Sequence, residues 1–153
     1  MTTQTSAGLR RFTATPIQTA SFAVGVVFLL FGILGFVPGI TTNMGEMGAA
    51  GPDSEAFLLG LFQVSILHNI VHLLFGVAGV LLARAAGTSR QYLIFGGAIY
   101  AVLWVYGLVV GHDSPANFVP LNNADNWLHF FLTVGMIALG VLLSRDRGTR
   151  TTA

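Results

Sequence analysis

The residues of this chain best suited to chemistry are two histidines at the start of a long apolar stretch. His68 and His72 are four residues apart, with Asn69 between them and Ser65 just ahead. Side chains four apart share one face of a helix, one turn from each other, and Ser65 stands where a helix N-cap belongs. No charge follows in residues 73–83. Ionisable groups at such a position in a membrane are costly and are functional candidates.

A second apolar stretch opens in a similar way, with Asp125, Asn126 and His129, and His112 lies in the loop before it. The four histidines could converge on the outer leaflet. Imidazole nitrogen suits zinc, copper, iron or nickel, so His68, His72, His129 and His112 are candidate ligands of a transition metal. A b-type haem would need ligands from facing helices, such as His72 and His129.

A structural interpretation competes with this one. Ser65, Asn69, Asp125 and Asn126, together with the histidines, could form a closed polar network across the helices, since buried polar groups in lipid need partners. Proton or small-solute handling is a third possibility. The sequence has no Cys, and no hydrolase nucleophile with an evident base stands out, so an enzymatic role is not favoured.

Composition decides the class of protein. The chain has 153 residues, of which 54% are hydrophobic and only 8% are charged, and its mean hydropathy is +0.75. Soluble domains have about 25% charged residues, so this chain could not cover a soluble surface with polar groups. The lipid bilayer is therefore its expected environment. Nucleic acid is not an expected partner, because the basic patch that such binding needs is missing.

The apolar runs predict an all-α integral membrane protein, a bundle of four transmembrane helices. The spans are expected at about 17–37, 66–83, 92–110 and 127–143, within a membrane domain of residues 16–144. Outer loops are expected at 38–65 and 111–126, and tails at 1–15 and 145–153. The apolar residues 57–64 stop at a polar serine and are interpreted as an interfacial segment.

Orientation follows from the arginines. All seven basic residues are Arg, and they lie in the two tails or between the second and third spans. Cytoplasmic loops carry the excess of Lys and Arg, so the chain should cross the membrane several times with both termini in the cytoplasm. The starts of the second and fourth spans, with their histidines, would then face outward.

The second and fourth spans resemble each other. Residues 68–72 (HNIVH) align with residues 125–129 (DNWLH), and residues 79–84 align with residues 140–145. Each copy follows an outer loop and ends at an arginine. This pattern predicts two tandem helical hairpins related by a pseudo-two-fold axis along the membrane normal. Chance similarity is the alternative, because Gly-Val-Leu-Leu is common in apolar helices.

The histidine motifs also carry a family resemblance. The run at 59–62 (LGLF), the pair His68-Asn69-x-x-His72, and the run from Asn122 to His129 resemble the small bacterial membrane proteins of domain of unknown function 4383. That resemblance implies four helices and a location in the bacterial plasma membrane. It implies no activity.

These observations favour a small accessory or structural membrane subunit, held together by a His/Asn/Asp polar cluster at the outer leaflet. It would act as a homo-oligomer or within a larger membrane complex. The alternative is a metal- or haem-binding redox component, or a proton or small-solute transport component, that uses His68, His72 and His129.

Overall fold

Four helices follow one another along the chain, and the computed structural model describes residues 12–144. They are α1 (Pro16–Leu34), α2 (Ile66–Leu82), α3 (Ala86–Val109) and α4 (Asn123–Leu142). The predicted C-terminal tail and most of the N-terminal tail lie outside the described residues. So do five arginines, namely Arg10, Arg11, Arg145, Arg147 and Arg150.

Three of the helices can cross a membrane. Helices α1, α3 and α4, with 19, 24 and 20 residues, are long and apolar enough to do so, whereas α2 is a shorter apolar helix of 17 residues. Large apolar side chains on these helices, such as Leu74, Phe95, Val102 and Phe131, point away from the rest of the protein. An exposed apolar surface of this kind suits contact with lipid. The chain is a mostly helical, multi-pass membrane protein.

Capping residues set where the helices begin. Thr15 accepts a hydrogen bond from the backbone of Gln18 at the start of α1, where Pro16 occupies the first helical position. Proline suits that position because no intrahelical bond is lost there. Helix α3 begins six residues before the predicted span. Its Thr88 and Ser89 hydroxyls donate to carbonyls of the preceding turn, which lets this polar segment be helical.

Glycines let the helices approach in two pairs. A β-carbon at Gly25 of α1 would lie 2.7 Å from the backbone nitrogen of Val80 in α2. On the other side of the bundle, a β-carbon at Gly97 of α3 would lie 2.7 Å from the Ile137 side chain of α4. Such contacts are typical of helix packing in lipid. Helix α1 therefore packs mainly on α2, and α3 mainly on α4.

A small sheet, absent from the all-α prediction, occupies the loop between α1 and α2. Its antiparallel strands lie in the order β1 (Thr41–Thr42), β2 (Ala56–Leu58) and β3 (Phe62–Val64). The segment predicted as interfacial thus forms a β-hairpin. Its buried residues pack with the end of α1 through Phe31 and Leu34, so the sheet covers the end of the bundle where α2 and α4 begin.

Candidate functional site

The polar residues singled out in the sequence occupy matching positions in α2 and α4. Ser65 caps α2 and Asn122 caps α4, each accepting a hydrogen bond from the backbone three residues later. Each of these positions in α2 corresponds to the position 57 residues later in α4, so Asn69 corresponds to Asn126. In the same way, His68 corresponds to Asp125 and His72 to His129.

Seven of these residues are buried, and we call them the polar core: Ser65, His68, Asn69, His72, Asp125, Asn126 and His129. They belong to the first two turns of α2 and α4, with the cap of α2. A buried polar group without a partner costs free energy, so each residue of the polar core is expected to have a hydrogen-bond partner.

The two histidines of α2 stack on each other. The ring centroids of His68 and His72 are 4.5 Å apart, with an angle of 20° between the ring planes. Nδ1 of His72 lies 3.0 Å from the carbonyl oxygen of His68, so an Nδ1–H at His72 would donate to it. Phe28 of α1 packs against the His72 ring at 5.5 Å. The His72 imidazole is thereby held in place on two sides.

His129 approaches from the other pair of helices. Only 2% of its surface is exposed, and the ring of Tyr100 in α3 meets it edge-on at a centroid distance of 5.1 Å. Tyr100 also stacks on Phe28 of α1 at 5.4 Å. Contacts between aromatic rings therefore connect His129, through Tyr100, to Phe28 of α1, which packs against His72.

Asp125 joins the sheet to α4. Its Oδ2 accepts hydrogen bonds from the backbone nitrogens of Asn122, at 3.0 Å, and of Gln63 in β3, at 3.1 Å. The first of these completes a capping box with the Asn122 side chain. The Asn122 side chain also donates to the carbonyl of Leu61 at 2.8 Å. Two residues of the hairpin, Leu61 and Gln63, are therefore fixed to the start of α4.

Each asparagine of the polar core packs against a glycine of the preceding helix in its pair. Asn126 donates to the carbonyl oxygen of Gly107 in α3 at 2.9 Å, and a β-carbon at Gly107 would overlap its side chain. The Asn69 side chain sits in the same way against Gly35, the residue that follows α1. These contacts require glycine at both positions.

Two imidazole nitrogens remain without a partner within the described residues: Nδ1 of His68 and Nδ1 of His129. A small cavity of about 10 Å³ is lined by His68, His72 and Asp125 together with the underside of the hairpin. This volume is about that of one water molecule. In residues 12–144, no group of three or more His, Asp or Glu side chains is placed to hold a metal ion.

The fourth predicted histidine lies elsewhere. His112 is exposed on the loop after α3. It lines an open surface groove of about 310 Å³ with Asn123 and Asn126. The structure thus brings His68, His72, Asp125 and His129 into its interior and leaves His112 outside.

Sequence reasoning missed Gln63, Asn122 and Tyr100 as parts of this site. Gln63 contributes its backbone nitrogen, for which a side-chain pattern gives no signal. Asn122 could have been found, because Asn122-x-x-Asp125 has the spacing of a capping box. Tyr100 reads as one aromatic residue among several in an apolar helix, and only the packing shows that it meets His129.

The fold and the site together define a class: a multi-pass helical membrane protein whose polar residues are buried beneath a small sheet at one end of the bundle. The model of the family described as "Domain of unknown function (DUF4383)" matches residues 18–142, and the chain belongs to that family. No curated protein and no solved structure matches the chain.

The Gly107 contact yields a prediction. In Gly107→Ala the new methyl group should displace the Asn126 side chain and break its hydrogen bond to the backbone of α3. We expect thermal unfolding in detergent to show a loss of about 0.6–2 kcal/mol. Gly135→Ala in α4 is the control, because a β-carbon there has no neighbour within 4 Å. Equal melting temperatures for the two variants would contradict the proposed role of Asn126.

Proposed function

We propose that this chain is a small accessory or structural protein of the bacterial plasma membrane. In this proposal it crosses the membrane four times with both termini in the cytoplasm. Its polar core holds the outer ends of the helices together and supports the sheet, which is presented to a partner. The partner is a second copy or another subunit of a membrane complex.

One observation carries the structural role. Asp125 is only 1% exposed, and one of its oxygens accepts two backbone hydrogen bonds that join β3 to the cap of α4. A buried backbone nitrogen that lost this acceptor would be left without a partner, at a cost in free energy. The carboxylate is thus used to connect two parts of the fold, which supports a structural role for the polar core.

Two tandem hairpins related by a pseudo-two-fold axis are part of the proposal. Three features support them: the matched caps of α2 and α4, the close pairing of α1 with α2 and of α3 with α4, and the Asn–Gly contact within each pair. The exposed Arg84, in the turn between α2 and α3, and Arg90, near the start of α3, support a cytoplasmic position for this turn. Helix α2, at 17 residues, is near the lower limit for a span.

The available space argues against haem. Beside His72, a cavity lined by Phe28, Phe31 and Leu128 has a volume of about 20 Å³. Small-molecule sites have volumes of about 300–1,000 Å³. A porphyrin between His72 and His129 would require helices α2 and α4 to separate, so the residues present do not fit this cofactor.

A smaller ligand is the second candidate. The unpaired Nδ1 atoms of His68 and His129 favour a single transition-metal ion or a proton-carrying water in the polar core. Imidazole suits both. Because the cavity beside His68 has a volume of only about 10 Å³, this candidate is limited to a single ion or a single water molecule.

Removal of the carboxylate tests the structural proposal. Asp125→Ala leaves the backbone nitrogen of Gln63 without its acceptor and removes half of the α4 capping box. We expect the free energy of unfolding in detergent to fall by about 1–3 kcal/mol. Asp113→Ala is the matched control, an exposed aspartate of the adjacent loop that should change stability by less than about 0.5 kcal/mol. If Asp125→Ala unfolds like this control, the structural role is wrong.

Single-cysteine labelling tests the topology, and the chain has no native Cys to give a background. Cysteines at the exposed positions Asp53 and Ala116 should react with an impermeant maleimide on intact cells. A cysteine at Gly87, where a side chain meets no neighbour, should react only after permeabilisation. Labelling of Asp53→Cys and Gly87→Cys from the same side would mean that α2 does not cross the membrane.

Elemental analysis separates the structural proposal from the metal-ion form of the second candidate. Purified protein is equilibrated with zinc and the metal content per chain is measured. The structural proposal predicts no stoichiometric zinc in the wild type. The alternative predicts one ion that is lost in His129→Ala and retained in His112→Ala, since the polar core includes only the former. Stoichiometric zinc with this pattern would replace the structural proposal.

A further inference from the structure

The tip of the β2–β3 hairpin has an unusual backbone. Leu59 has φ of 56° and Gly60 has φ of 67°, and the Leu61 nitrogen donates to the carbonyl of Leu58 at 3.1 Å. Positive φ at both central residues defines a type I′ turn, in which asparagine, aspartate or glycine is normal. A leucine in the left-handed region is uncommon and strained. The chain therefore keeps a large apolar side chain where the backbone disfavours it.

Packing within the protein does not compensate for this strain. Leu59 is 62% exposed and Leu61 is 54% exposed. No charged residue occurs from 56 to 64. The hairpin thus ends in two neighbouring leucines that its own fold leaves uncovered. Backbone strain that persists without a packing gain points to a role for the side chain outside the fold.

The position of the tip indicates what covers it. The Leu59 nitrogen donates to the carbonyl of Ile40, six residues after α1, and the Leu61 carbonyl accepts from Asn122, the cap of α4. Helices α1 and α4 are about 28 and 30 Å long by their residue counts. The hydrocarbon core of a bilayer is about 30 Å thick. The tip is therefore held between two helix ends that lie near the membrane boundary.

A lipid-facing aromatic residue lies close below. Trp127 of α4 is exposed and follows Asn122 by five residues, about 7.5 Å along the helix. Tryptophan is enriched at the level of the lipid headgroups. The apolar tip is bonded to the cap of the same helix and therefore lies near the height where headgroups meet acyl chains.

We propose that Leu59 and Leu61 insert into the bilayer at this boundary, and that the occupant of the apolar tip is phospholipid. Insertion holds the hairpin down over the cavity that is lined by Leu58, Phe62, Val64 and the polar core. The inference rests on the membrane location of the chain and is independent of whether the polar core is structural or binds an ion.

Spin labelling measures the insertion directly. Single cysteines at Leu59 and Leu61 are labelled in the otherwise cysteine-free chain, and the protein is reconstituted into phosphatidylcholine vesicles. Both labels should collide more often with oxygen, which partitions into lipid, than with a water-soluble nickel chelate. A label at Asp53, exposed on the same outer loop, should show the opposite preference. Equal nickel accessibility at the tip and at Asp53 would overturn the proposal.

Leu59→Asn distinguishes insertion from a structural role of the side chain. Asparagine accepts the left-handed conformation, so melting in detergent should stay unchanged or rise. The gain in melting temperature on transfer from detergent to phosphatidylcholine should be smaller than in the wild type. An unchanged gain would count against insertion. Efficient disulfide formation between Leu59→Cys chains in vesicles would instead assign the tip to a second copy.

Discussion

The structure depends on the buried carboxylate of Asp125 and the two backbone nitrogens that it accepts from. Removing a carboxylate from water is costly unless hydrogen bonds replace its hydration. Asp125 obtains one bond from its own capping box and one from Gln63, which only a strand lying across the start of α4 can supply. This requirement fixes the hairpin over the end of the bundle, and the hairpin in turn closes the cavity beside His68 and His72.

The close contacts between helices have the same cause, because buried polar groups in a membrane have no water to bond to. Within a bilayer the amide of Asn126 must find its partner on another helix, and it finds the carbonyl of Gly107 because no β-carbon stands between them. The Asn69 side chain also lies against a glycine, Gly35, although its amide nitrogen donates to the sulfur of Met47 at 3.9 Å. Glycine is therefore required at particular heights of the helices, where it allows an asparagine side chain to be buried. Elsewhere, as at Gly135, the glycine has no neighbour to accommodate.

Much of the helical fold and of the polar core could be predicted from the sequence, because apolar runs and the polar residues that interrupt them are strong signals. The sequence predicts the interiors of the helices and singles out His68, His72, Asp125 and His129 at two helix starts, where the structure buries all four. The sheet was missed because its strands are two or three residues long, too short for alternation to be visible. Its turn also has Leu-Gly in place of the usual Asn-Gly. The exposure of His112 could not be read from the sequence, since its position depends on the loop that follows α3.

The aspartate and the histidines of the polar core differ in how they are bonded to the rest of the fold. The capping aspartate is bonded to the backbone of its own helix and of the sheet, so moving it would undo the connection between them. Within residues 12–144, the imidazoles of His68 and His129 each have one nitrogen without a partner, and these nitrogens can accept or donate a proton without breaking a hydrogen bond of the fold. Chemistry at this site would therefore act through imidazole, with the carboxylate as a fixed support.

Because the cavity has room for about one water molecule, a larger ligand could enter only after the hairpin had moved away from α4. Such a movement would require the Gln63–Asp125 and Leu61–Asn122 hydrogen bonds to open together.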